Sequence, residues 1–142
     1  MERASQSAAP EFAFRLDTHS GVPVYRQLID QVQAAIATSA LRAGDQLPTV
    51  RRVAVELAIN PNTVSRAYRE MEIRGILDTQ QGTGTFVAEV RLDISAGRDQ
   101  EELQRQLNQL VTEFVARAGS AGFTVRDLAE ALHQLSPETP NT

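Results

Sequence analysis

The chain has 142 residues, 42% hydrophobic but only 5% aromatic and without Trp, which suits one small aliphatic core plus an appendage. It contains no cysteine, which excludes disulfides, thiolate metal sites and cysteine nucleophiles and fits a reducing compartment. The net charge of −4 is unevenly placed: residues 1–92 carry ten Arg against ten acids, and residues 93–142 carry four Arg against eight. The acidity therefore belongs to the C-terminal part and does not argue against a polyanionic partner for the rest. Every one of the fourteen cations is Arg, whose planar fork suits phosphates and guanine edges.

No run approaches the ~18 apolar residues of a membrane span, and the N-terminus lacks an apolar signal core. A cytoplasmic protein with no membrane association is the expectation. Residues 1–10 are small and polar and read as a disordered tail. "FAFRL" (12–16) alternates like a short strand, and "THSGVP" turns the chain, with Pro23 suited to a first helical position. Tyr25, Leu28, Ile29, Val32 and Ile36 then recur at helical spacing, which predicts a first helix over about 23–38.

"LRAGDQLP" reads as a loop. Thr49 is placed to cap a short second helix whose inward stripe is Val50, Val53, Ala54 and Leu57. Asn60-Pro61 restarts a third helix, which buries Val64, Ala67, Tyr68 and Met71 and stops at Gly75. Two β-prone pieces, 76–80 and 84–88, flank a Gly-rich turn as a hairpin.

Past residue 92 the composition changes. Asp99 with Glu102 has the spacing of a capping box, ahead of a stripe of Leu103, Leu107, Leu110, Val111, Phe114 and Val115. Gly119 to Gly122 breaks that helix. Thr124 with Asp127 caps the next, Phe123 and Leu128 are spaced as a hydrophobic staple, and Val125, Leu128, Leu132 and Leu135 line its apolar side. The predicted organisation is a tail (1–10), a compact domain (11–92), a two-helix region (93–136) and a flexible end (137–142).

Three helices followed by a hairpin describe a winged helix-turn-helix, mainly α with a small β-hairpin. In such a domain the third helix enters the major groove and its N-terminal residues meet base edges. The outward face of the third helix carries Asn62, Ser65, Arg66 and Arg69, with Thr63 and the cap Asn60 at its start. Asn suits adenine, Arg suits guanine or phosphate, and the positive helix end favours a phosphate. Any amphipathic helix needs a solvated side, so this face alone decides little. Arg51 and Arg52 near the start of the second helix and the small residues Gly82, Thr83 and Gly84 at the hairpin tip follow in the order a DNA reader requires.

The run from Pro23 to Val87 resembles the winged-helix domain of GntR-type transcriptional regulators. "PVYRQL", "LRAGDQLPTVRRVA", "INPNTVSRAY" and "GTGTFV" carry the likeness across roughly 65 of the 142 residues. "FRLDTHSGVPVY" and a tail with room for two helices resemble the YtrA-like subfamily. The resemblance implies DNA contacts on Arg51, on Asn60 to Arg66 and on the wing glycines. It also departs in places: Asn60-Pro61 stands where relatives often have Ser-Arg, and Gln80 and Gln81 stand where many place Arg or Lys. Both changes imply fewer phosphate contacts.

The C-terminal helices are too small to enclose a ligand cavity of the ~300 Å³ usual for small molecules. Leu103, Leu107, Leu110, Phe114, Leu128 and Leu132 are instead expected to pair with the same surface of a second chain, and YtrA-like relatives resemble this arrangement. A homodimer on double-stranded DNA at an inverted repeat, acting as a repressor, is the resulting expectation. Release by an unidentified small-molecule effector at the dimer seam, or by none, both stay open. The rival is a winged-helix module that binds protein without DNA. Catalysis has no support: His19 and His133 lack partners at metal or triad spacing, and no cofactor motif is present.

Overall fold

The computed structural model describes residues 12–89 and 99–135. The predicted tails, 1–10 and 137–142, and the composition boundary near 92 lie outside the described residues. The chain divides after Glu89 into two compact units. The first contains α1 (Val24–Ala37), β1 (Gln46–Leu47), α2 (Val50–Leu57), α3 (Pro61–Ile73), β2 (Leu77–Gln80) and β3 (Gly84–Val87). The second contains α4 (Gln100–Ser120) and α5 (Val125–Leu135).

Helix α1 starts one residue later than the proline suggests. Pro23 sits at the cap, and its carbonyl accepts the amides of Arg26 and Gln27. Leu28, Ile29 and Val32 on its inner side are almost completely buried against Val53 of α2 and against Val64, Ala67 and Met71 of α3. The capping of α2 follows the sequence reading: the Thr49 hydroxyl accepts the Arg52 amide at 3.1 Å. The Asn60 side chain likewise accepts the Asn62 amide at 2.8 Å, with Pro61 as the first residue of α3. At the other end, Gly75 (φ 81°) adopts the left-handed conformation that closes a helix. Its amide bonds Glu72 O and the Ile76 amide bonds Met71 O.

Two strand expectations are corrected. "FAFRL" is extended but joins no sheet. The side-chain amide of Gln31 brackets Arg15, accepting its N–H and donating to its carbonyl, and Gln27 does the same for Asp17. Two glutamines on one face of α1 thus stand where a partner strand would, and Phe14 is tucked into the core. The hairpin is in fact part of a three-stranded antiparallel sheet in the order β1-β3-β2. β1 pairs Gln46 with Phe86 and Leu47 with Thr85 inside the segment expected to be loop. Two residues are too few for an alternation pattern to register.

In the second unit, Thr124 and Asp127 form the expected capping box. Each accepts the other's backbone N–H, at 2.8 and 3.2 Å. These bonds hold the exposed Asp127 carboxyl below the ordinary carboxylate range. The other expected box does not form. Asp99 makes no side-chain cap, and the Glu102 carboxylate is engaged by Arg105 at 2.6 Å and by Gln106. Helix α4 also runs through Gly119, and the turn comes at Gly122 (φ 96°). Phe123, the expected staple, remains more than half exposed. None of the described helices is long and apolar enough to cross a membrane.

Candidate nucleic-acid interface

The geometry of the helix-turn-helix is set by one buried hydroxyl. Tyr68, on the inner side of α3, donates its phenol to the Pro48 carbonyl at 2.6 Å, immediately before α2 begins. Burial raises its pKa above the ordinary phenol range, so the group stays a neutral donor. Met71 and Val64 on the same helix are fully buried with it in the core, and the tilted ring of Phe14 lies 6.5 Å away. The turn between α2 and α3 is Ala58-Ile59-Asn60. Ala58 is left-handed at φ 57°, a conformation that a residue with a Cβ adopts at a cost of roughly 1–2 kcal/mol. Ile59 packs on the core and Asn60 caps α3, so the turn has no slack.

With α3 fixed in this way, Asn62, Ser65, Arg66 and Arg69 are all exposed, and Thr63 is half-buried. The acidic residues of the helix do not compete with them. Glu70 pairs with Arg74 at 3.1 Å, and Glu72 accepts the Thr79 hydroxyl of β2. The N-terminal two turns therefore present amide, hydroxyl and guanidinium groups beside the positive end of the helix dipole. Arg66 and Arg69 form no ion pair with any described residue. Arg66 does have one neighbour: its guanidinium carbon lies 3.8 Å from the centre of the Tyr25 ring on α1.

The flanking candidates divide. Arg51 is exposed on the first turn of α2. Arg52 is also exposed, but its guanidinium already pairs with Glu56 one turn on, at 2.9 Å. Asn60 has its side-chain oxygen committed to the cap, which leaves its amide nitrogen as the group it can offer. At the hairpin tip, Gly82 (φ 78°) and Gly84 (φ 139°) permit a tight reversal, in which the Thr83 amide bonds Gln80 O at 2.9 Å. A Cβ on Gly84 would collide with the Gln46 side chain, whose amide donates to Thr83 O at 3.2 Å. Tyr25 and Gln46 are the two participants that sequence reasoning did not single out. Helical spacing assigns Tyr25 to the core stripe, and the turn residues around Gln46 read as a loop.

Leu107, Leu110, Phe114 and Leu132 of the second unit are at least half exposed, and Leu103 and Leu128 are half-buried. Among the described residues no group of three His, Asp or Glu could hold a metal ion.

The family model for "Bacterial regulatory proteins, gntR family" matches residues 24–87, the span from the start of α1 to the end of β3. The chain is 33% identical over 124 residues to the HTH-type transcriptional repressor YtrA of Bacillus subtilis, covering 87% of this chain and 92% of that protein. It is 38% identical over 114 residues to the transcriptional regulator YhcF of the same organism, covering 80% and 89%. A solved structure of a GntR family transcriptional regulator from Listeria monocytogenes superposes with a TM-score of 0.54 at 29% identity, covering 84% of this chain and 98% of that one. A tightly capped helix-turn-helix with an exposed basic face, a glycine-tipped wing and these relatives lead to one conclusion: the chain belongs to the GntR family of bacterial regulators and is a DNA-binding transcriptional regulator, not an enzyme.

Proposed function

We propose that this regulator is a repressor that binds an inverted-repeat operator as a homodimer, with α3 of each protomer in the major groove. The observation that carries the reading is the exposed face of α3, where Asn62, Ser65, Arg66 and Arg69 stand clear while both glutamates are occupied elsewhere. In this reading Asn62 and Arg66 meet base edges, Thr63, Ser65 and Arg69 meet bases or backbone, and Arg51 with the amide of Asn60 grips phosphate. The wing residues Gly82, Thr83 and Gly84 offer backbone amides and one hydroxyl to the flanking strand. Arg52 must exchange Glu56 for a phosphate, which makes it the weakest of the set.

Dimerisation is supported by the apolar side chains that the second unit leaves in water. Leu107, Leu110, Val111 and Phe114 on α4 and Leu132 and Leu135 on α5 are all at least half exposed. Each is already about half covered, so completing its burial contributes about 1 kcal/mol, and the six on each of two protomers together reach the scale of an association cost of roughly 4–15 kcal/mol. A two-fold symmetric dimer carries two copies of α3, one for each half-site of an inverted repeat. The relative named a repressor supports that sign of regulation.

The test is a gel shift on DNA enriched from a random-sequence duplex pool, repeated at two salt concentrations, together with sedimentation of the free protein. A dimer that shifts DNA and weakens steeply as salt rises supports the reading. A chain that sediments as a monomer, or a shift indifferent to salt, overturns it.

A further inference from the structure

Most arginines with a defined partner in the first unit are held by a carboxylate: Arg52 by Glu56 and Arg74 by Glu70. Arg66 is held differently. Its guanidinium lies over the Tyr25 ring at 3.8 Å, and no described residue accepts a hydrogen bond from it. A carboxylate occupies the same N–H edges that would meet a base or a phosphate, so DNA must displace it first. An aromatic face holds the cation through its π-cloud and leaves the donor edges available.

The ring is itself well fixed. Tyr25 is half-buried against the core, on the first turn of α1. The approach to that turn is tied down by Gln27, whose side-chain amide bonds Asp17 O and Val22 O, at 3.1 and 2.9 Å. Pro23 then enters the helix with its φ locked. The ordered path runs from the 17–22 loop through Pro23 to the Tyr25 ring, and from the ring to the guanidinium on α3.

We infer that Tyr25 is a positioning residue for DNA recognition: it holds the Arg66 guanidinium extended over its ring, with its donors unengaged, before DNA arrives. An arginine side chain carries considerable rotamer freedom, and immobilising it beforehand removes part of the ordering cost of binding. This inference rests on the proposal that Arg66 contacts DNA, and the test separates the two.

The experiment is a double-mutant cycle on the full chain, read by fluorescence anisotropy on a duplex enriched by the wild-type protein from a random pool. Thermal unfolding is recorded for each variant. Arg66→Ala comes first and is expected to weaken binding roughly 5- to 150-fold. Tyr25→Leu, which removes the ring but keeps an apolar side chain, is expected to weaken binding roughly two- to fivefold. Tyr25→Phe, which keeps the ring, is expected to recover most of that loss. In the Arg66→Ala background, Tyr25→Leu is expected to cost nothing further. A loss from Tyr25→Leu that persists without Arg66 would mean that the ring acts on DNA or on the fold by itself, and would overturn the inference. Undiminished binding by Tyr25→Leu would overturn it too while leaving the Arg66 contact standing. Undiminished binding by Arg66→Ala would remove the contact and the inference together.

Discussion

The two units solve the problem of burying apolar surface in opposite ways. Fifteen hydrophobic residues from Phe14 to Val87 form one buried cluster, drawn from three helices, three short strands, the loop after α1 and the 12–16 segment. Among the described residues of the second unit only Ala118 is buried, although its two helices carry Leu, Val and Phe at regular spacing. A helix with an apolar stripe gains most of its stability from what covers that stripe. The first unit covers its own, whereas the stripes of the second call for a further surface. Under the proposed function, recognition sits on the self-sufficient scaffold and assembly on the unit whose apolar stripes stay exposed.

The harshest challenge to this contrast is to charge the second unit. Leu110→Asp with Phe114→Asp should yield a folded monomer, and half-site binding without its twin should lose on the order of 100-fold or more in operator affinity. Analytical ultracentrifugation and gel shifts read both effects, and a doubly substituted chain that stays dimeric would contradict the assignment. Within the first unit, Tyr68→Phe removes the phenol and leaves the Pro48 carbonyl without its donor. A loss of about 1–3 kcal/mol in denaturant unfolding is expected. No loss would mean that the hydroxyl does not fix the helix-turn-helix.

Arg66→Ala should cost about 1–3 kcal/mol in DNA binding while leaving thermal stability and dimerisation unchanged. Equal weakening on every DNA sequence would assign the side chain to phosphate instead of a base. Ala58→Gly gives the smallest effect and the opposite sign. Glycine removes the left-handed penalty but adds freedom to the unfolded chain, so a net gain of about 0.5–1 kcal/mol in stability is the expected outcome of the same unfolding assay. A destabilised variant would show that the Ala58 methyl packs more than it strains.

Much of this was legible in the sequence because the signals were local. Thr49, Asn60-Pro61, Gly75 and Thr124 with Asp127 mark helix ends through bonds made within a few residues, and all of them act as their chemistry implies. What escaped depends on distant partners. β1 is two residues long and exists only because β3 lies alongside it, 40 residues on at the level of Gln46 and Phe86. "FAFRL" has a strand's alternation, but its hydrogen bonds go to glutamine side chains of α1, which no period in the sequence reveals. Asp99 and Glu102 have capping-box spacing, yet Asp99 caps nothing and the Glu102 carboxylate goes to Arg105, three residues further along the helix.

The candidate interface shows the same division. Exposure of Asn62, Ser65, Arg66 and Arg69 follows directly from the helical wheel around Val64, Ala67, Tyr68 and Met71. The separation of Arg52, paired with Glu56, from Arg66, laid over Tyr25, does not. The first pairing has ordinary helical spacing and could have been suspected from sequence. The second spans 41 positions and needs α1 packed against α3.

The most direct measurement uses the absence of cysteine. Asn62→Cys gives the chain a single thiol on the outward face of α3, to which an iron chelate that cleaves DNA locally can be attached. On a duplex enriched from a random pool by the labelled protein itself, the account predicts two clusters of strand cleavage in the major groove, one per half-site, centred about 10 base pairs or a multiple of that apart. A single cluster, cleavage scattered evenly along the duplex, or none at all would contradict it.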